Sequence, residues 1–144
     1  MKKNYYYEWL SIVPTVKQKY FAKCLLNPQL YKTNLLPDVC FIEFTRGGGI
    51  YYAMIDMACL SVVVDHRWGS RGDGYVSAEG DYLHRMILNE TRSDYDVHHK
   101  AAKFDNRAKN LESVRKAAHS RKRAYSGTLK INESNILQIA QLLQ

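Results

Sequence analysis

No CxxC pair occurs in the chain, and its three cysteines, Cys24, Cys40 and Cys59, are widely spaced and odd in number. That excludes a four-cysteine zinc ribbon and argues against a disulfide framework, so a reducing compartment is expected. Long apolar runs are missing too. Stretches such as Val62-Val63-Val64 are strand-sized and too short to cross a bilayer. The amino terminus carries Lys2 and Lys3 but continues Asn4-Tyr5-Tyr6-Tyr7-Glu8, too polar for a secretory signal core. The expectation is a soluble cytoplasmic protein without a membrane partner. Internal repeats and low-complexity tracts are absent, and 144 residues set the expectation of one domain.

Acidic side chains are in deficit. Fourteen Asp and Glu stand against 21 Lys and Arg, a formal net charge of +7. Between Lys100 and Arg123 there are nine basic residues and two acids, so this segment alone carries an excess equal to that of the whole chain. A basic run is either a solvated face or the footprint of a polyanion, and its concentration in one place favours nucleic acid.

Hydrophobic spacing predicts a helix from about Thr15 to Leu25, with Val16, Tyr20 and Cys24 on one face, ended by Asn27-Pro28. Residues 39–44, 50–56 and 61–68 read as strands. Gly47-Gly48-Gly49 makes a turn, and residues 69–74 make another that returns through 75–79. Arg67 and Arg71 are thereby placed at a hairpin tip. A helix over 81–88 with Asp81 as its cap, a short strand Tyr95 to His99, and a last helix from Glu133 to about Leu143 capped by Asn132 complete the reading.

The chemistry concentrates in the basic segment. His98 and His99 are adjacent, Asn110 follows His99 by eleven positions, and His119 follows Asn110 by nine. Hydrolysis of a phosphodiester needs a base to deprotonate water and a cation to neutralise charge gathering on the phosphate. Histidine suits the first role because its unperturbed pKa is near 6.5. Neighbours on a strand point to opposite sides, so His98 and His99 cannot share one task.

His98-His99, Asp105-Asn106-Arg107, Asn110-Leu111 and His119 together resemble the HNH endonuclease family of phage and intron-encoded homing type. Tyr82-Leu83-His84-Arg85 resembles the Leu-His-Arg signature upstream of that module, and Trp68 through Tyr75 resembles its strand-turn-strand lead-in. The resemblance spans about residues 50 to 122. It implies that His99 is the general base, that Asn110 fixes the loop and orients His99, and that His98 and His119 hold one divalent metal. It also implies cleavage of double-stranded DNA to 5′-phosphate and 3′-hydroxyl ends. Magnesium is the expected ion, but His98 stands where phage relatives carry Asp, and nitrogen ligands also accept manganese, nickel or zinc.

The implied fold is α+β: a ββα-metal core with an N-terminal small antiparallel sheet and flanking helices. Its divisions are an N-terminal region 1–49, a nuclease module 50–124 and a C-terminal helix 125–144. The expected DNA contacts are Arg67, Arg71, Lys100, Lys103, Arg107, Lys109, Arg115, Lys116, Arg121, Lys122 and Arg123, with salt-sensitive binding as the consequence. The terminal helices are the surfaces available for a homodimer. His84 is read as a packing or hydrogen-bonding residue under the site, and Asp65-His66 as a decoy without partners at the right spacing. Competing readings are a toxin-like nonspecific DNase, a DNA-binding regulator without activity, and a structural zinc site that would need Asp94 or Asp96 as a further ligand.

Overall fold

A computed structural model describes residues 9–10, 20–119 and 130–144. Its largest unit is a six-stranded sheet in the order β1 (Trp9–Leu10), β2 (Phe21–Cys24), β3 (Leu30–Thr33), β4 (Leu36–Arg46), β5 (Gly49–Asp56) and β11 (Ile131–Asn132). Every neighbouring pair is antiparallel. The long β4–β5 hairpin turns at Gly47 and Gly48, whose φ angles of +56° and +81° suit residues without a Cβ.

Both faces of this sheet are covered, which is why its strands read as apolar runs and not as a clean alternation. On one face Cys40, Ile42, Phe44, Ala53 and Ile55 pack against Leu60, Val63, Trp68 and Leu83. On the other, Phe21, Tyr31, Phe41, Tyr52 and Met54 pack against Ile131, Ile136 and Ala140, the last two on α4 (Ile136–Leu142). Asn27 and Gln29, at the β2–β3 turn, bind the loop that follows α1 (Leu60–Val63): the Asn27 Nδ2 donates to the carbonyls of Val64 and His66 at 3.0 and 2.9 Å, and Gln29 donates to the Trp68 carbonyl at 2.7 Å.

Two small sheets lie beyond. β6 (Gly69–Ser70), β7 (Val76–Ala78) and β8 (Asp81–Tyr82) form one, leading into α2 (Leu83–Leu88). β9 (Tyr95–His99) and β10 (Leu111–Arg115) form the other, followed by α3 (Lys116–His119).

The expected α+β architecture, a ββα-metal core with flanking helices, is not what this chain adopts. The described residues are mainly β, in three antiparallel sheets, and the longest described helix, α4, has seven residues. Two local misreadings contribute. The predicted helix to Leu25 lies partly outside the described residues, but Phe21–Cys24 is strand, with Phe21 in one core and Cys24 in the other. A spacing of four, as from Tyr20 to Cys24, puts side chains on one side of a strand and of a helix alike, so a short window cannot separate the two. Conversely, Ser61–Trp68 is not a strand. Leu60, Val63 and Val64 form a helical turn facing the sheet, and burial there overrides the β preference of three valines.

The sheet takes strands from all three sequence divisions. The last helix begins at Ile136 rather than Glu133: residues 133–135 form a turn, in which the Asn132 Oδ1 accepts from the Ser134 and Asn135 N–H groups. Asp81 belongs to β8, and Tyr82 stands at the cap position of α2. Among the described residues no helix is long and apolar enough to cross a membrane.

Candidate functional site

The strand predicted over Tyr95 to His99 is β9, and its alternation sends His98 and His99 to opposite sides. His99 is buried, with 5% of its surface exposed, and His98 is half-buried. The His99 Nε2 lies 2.9 Å from Oδ1 of Asn106. The Asn106 amide is oriented by its Nδ2, which donates to the carbonyls of Lys103 and Phe104 at 3.4 and 3.3 Å. Because an amide oxygen only accepts, Nε2 carries the proton and Nδ1 the lone pair. That Nδ1 is buried and has no hydrogen-bond partner among the described residues. Burial lowers the His99 pKa from its ordinary value, outweighing the Asn106 bond and the Asp105 charge that favour protonation. The ring is therefore neutral at neutral pH, with a basic nitrogen held out of water.

Asn110 clasps the loop between β9 and β10. Its Nδ2 donates to the carbonyls of Asp105 and Ala102 at 2.7 and 3.2 Å. Its own carbonyl accepts from the Lys100 N–H at 2.8 Å, and its N–H donates to Arg107 at 2.9 Å. The loop is also joined to the main sheet. The Met54 N–H donates to Phe104 at 2.7 Å, the Asn106 N–H returns to Met54 at 2.8 Å, and the Ala108 N–H donates to the Asp56 carboxylate at 2.8 Å. Asn106, and through it the His99 ring, is thus referenced to β5.

Three further rings close around His99. Tyr75 stacks on it with centroids 5.6 Å apart and planes 22° off parallel. His84 lies 4.8 Å from His99 and 4.9 Å from Tyr75, and Tyr82 covers His84 at 5.2 Å. The His84 Nδ1 is also buried without a partner among the described residues. Burial, then the proximity of His99 and Arg85, pushes the His84 pKa down to about 3. Each member of the Leu83-His84-Arg85 triplet has its own task. Leu83 enters the core, His84 joins the rings, and Arg85 donates to the carbonyls of Tyr95 and Arg92 at 2.8 and 3.1 Å, tying α2 to β9.

No protein-family model, curated protein or solved structure matches this chain. Its chemistry has to be read from its own side chains.

His98 faces Glu112 across the β9–β10 ladder. His119 ends α3, and its side chain lies outside the described residues. Among the described residues no three His, Cys, Asp or Glu side chains gather closely enough to hold a metal ion. His98 with Glu112 is a two-donor pair and by itself falls short of a metal centre.

The basic residues divide. Lys100, Lys109 and Arg115 are exposed on the hairpin and its loop, Lys116 at the start of α3, and Arg67 before β6. Arg107 is committed elsewhere: its guanidinium forks onto Asp105 at 2.8 and 2.8 Å, which makes it a brace of the loop. Arg71 donates to the Gly80 carbonyl at 2.6 Å and covers the Tyr82 ring at 4.6 Å, so it ties the hairpin it was expected to extend. Lys103 lies over Tyr75 at 4.6 Å, beside the ring cluster. Arg121, Lys122 and Arg123 lie outside the described residues. His66 pairs with the exposed Glu79 at 3.1 Å and takes no part in the site.

Sequence reasoning gave Tyr75 and Tyr82 no role, and it quoted Asn106 without a task. The nearest signal was Tyr82-Leu83-His84, where two rings flank a core leucine; nothing in it places them against His99.

Proposed function

We propose that the chain is a metal-dependent DNA endonuclease of HNH type in its residues, though not in its overall architecture. The observation that supports this most is His99, a neutral imidazole whose Nε2 proton is fixed on Asn106, leaving Nδ1 as the base. In this reading Nδ1 takes a proton from water and the resulting hydroxide attacks phosphorus. The bond from phosphorus to the 3′ oxygen breaks, that oxygen is protonated, and a 5′-phosphate remains. A divalent cation, magnesium or a softer ion, supplies charge neutralisation when held at His98 and His119. Asn110 acts by keeping the loop, and so Asn106, in register. Lys100, Lys109, Arg115 and Lys116 meet the phosphates of double-stranded DNA, in the cytoplasm of a bacterial host.

One observation favours a second reading. His99 is 5% exposed and covered by Tyr75, so substrate reaches Nδ1 only if the rings part. A protein that binds DNA without cutting it needs no such opening. A supercoiled-plasmid assay separates the two. Nicking that requires added metal, stops with chelator and is lost in His99→Ala supports the endonuclease. Salt-sensitive binding with no cleavage in any of magnesium, manganese, nickel or zinc overturns it in favour of the binding protein.

A further inference from the structure

Beside the His99 cluster lies a cavity of about 320 Å³ that His98, His99, Asn110 and His119 do not line. It opens between the β4–β5 hairpin, the tip of the β6–β7 hairpin, the loop after β9 and the start of β11. Phe44, Tyr51 and Phe104 give it aromatic walls, and Arg46, Lys103 and Lys130 give it three cations. Phe44 and Tyr51 lie 6.2 Å apart with planes 35° from parallel, and Lys130 sits over the Tyr51 ring at 5.3 Å. The one carboxylate in the lining, Asp73, already accepts from the Tyr75 N–H at 3.0 Å and the Tyr82 hydroxyl at 2.5 Å. The cavity therefore offers flat apolar surface and a net positive field together.

Its walls are set by specific contacts. Arg46 donates across to the Gly72 carbonyl at 3.1 Å, and Lys103 donates to the Asp73 carbonyl at 3.4 Å. Gly74, with φ of +87°, makes the turn at the hairpin tip in a conformation that side chains rarely adopt. Lys103 links the two sites, for it lines the cavity and covers Tyr75, the ring stacked on His99.

We propose that this cavity binds one nucleotide, its base against Tyr51 and Phe104 and its phosphate toward Arg46, Lys103 and Lys130. Aromatic faces stack on any base, and the cations answer a phosphate, whereas a purely apolar ligand would leave the cavity's net positive charge unanswered. As the place where the substrate strand lays a base beside the cut, this deepens the endonuclease reading and rests on it. The nucleotide binding itself is measurable without cleavage.

The test uses the full chain and the four deoxynucleoside 5′-monophosphates, with inorganic phosphate as control, followed by calorimetry and amide chemical shifts. Tyr51→Leu keeps an apolar side chain but removes the ring, and Lys130→Gln alters only an exposed cation. The expected result is saturable binding of a monophosphate, tighter than phosphate alone, with shifts confined to the cavity. Each variant should weaken it, Tyr51→Leu by roughly tenfold as for loss of one stacked base. Lys130→Gln carries the comparison if Tyr51→Leu does not fold. Phosphate binding as tightly as the nucleotides, no nucleotide binding, or full affinity in the variants would each overturn the proposal. Plasmid cleavage without nucleotide binding removes the cavity assignment alone, and nucleotide binding without cleavage removes the endonuclease reading alone.

Discussion

The six-stranded sheet and the segment from α2 to β10 are held together by different physics. The sheet is stabilised by side chains such as Leu30, Phe41, Ile42, Ala53 and Ile55, each with no exposed surface, on two covered faces. The other segment is short of such side chains and rich in buried polar ones. Of the eight buried polar or charged residues among those described, six (His84, Glu90, His99, Asp105, Asn106 and Asn110) fall between positions 84 and 110. Burying a polar group costs stability unless it is hydrogen-bonded, and two of these six keep a buried ring nitrogen without a partner among the described residues. Apolar burial defines a shape; directional bonds define an orientation. The difference marks where the fold gives up stability to hold polar side chains in fixed orientations.

The largest break of this contrast is His99→Ala. It should lower metal-dependent plasmid nicking by at least about a hundredfold, the usual weight of a general base, while Phe41→Leu in the sheet leaves nicking per folded molecule unchanged. Equal loss in both would mean that activity follows stability and not the imidazole.

Asn110→Ala comes next. It leaves the Asp105 carbonyl unpartnered and the Ala102 carbonyl with the Asp105 N–H alone, and should cost about 2 kcal/mol in urea unfolding, whereas Ile42→Val should cost about 1 kcal/mol. Matching values would remove the distinction between clasp and core.

Acid sharpens the comparison in another way. The pKa values of both His84 and His99 lie below the ordinary 6.5 in the folded state. Above that pH both rings are neutral folded or unfolded, and their contribution is constant. As pH falls below 6.5 the unfolded chain binds protons that the folded chain does not, so stability declines, down to about pH 3 where folded His84 itself protonates. Urea midpoints between roughly pH 7 and pH 4 should show this fall, and His84→Phe should make it shallower. An unchanged slope would show that His84 is not held neutral by the fold.

The smallest effect belongs to His66→Gln. Its partner Glu79 is exposed, and loss of the pair should move stability by less than about 0.5 kcal/mol.

The central hairpin of the large sheet and one strand of the site were legible. The 39–44 and 50–56 runs fall within β4 and β5, Gly47 and Gly48 form the turn between them, and Tyr95–His99 is β9, because apolar stretches bounded by turn residues leave few alternatives. The α1 region was not legible, since the choice between turn and strand depends on what Leu60 and Val63 pack against. Within the site, His99 and the loop fixed by Asn110 could be proposed from the family resemblance. The packing of Tyr75 and His84 against His99 could not, because those residues come from separate elements and only the tertiary arrangement brings their rings together. The overall architecture was misjudged for the same reason. A short motif constrains its own segment and says little about the sheet that carries it.

One feature of the loop between β9 and β10 reaches beyond the site. β11 pairs with β5 at Tyr51 and Tyr52 only, and past them the loop takes over as neighbour, through the parallel bridge between Met54 and Asp105. An uncovered stretch of β5 would present N–H and C=O groups ready to pair with the edge of another molecule. The loop that orients His99 is thus also a guard against self-association, and a variant that frees it should lose solubility along with alignment.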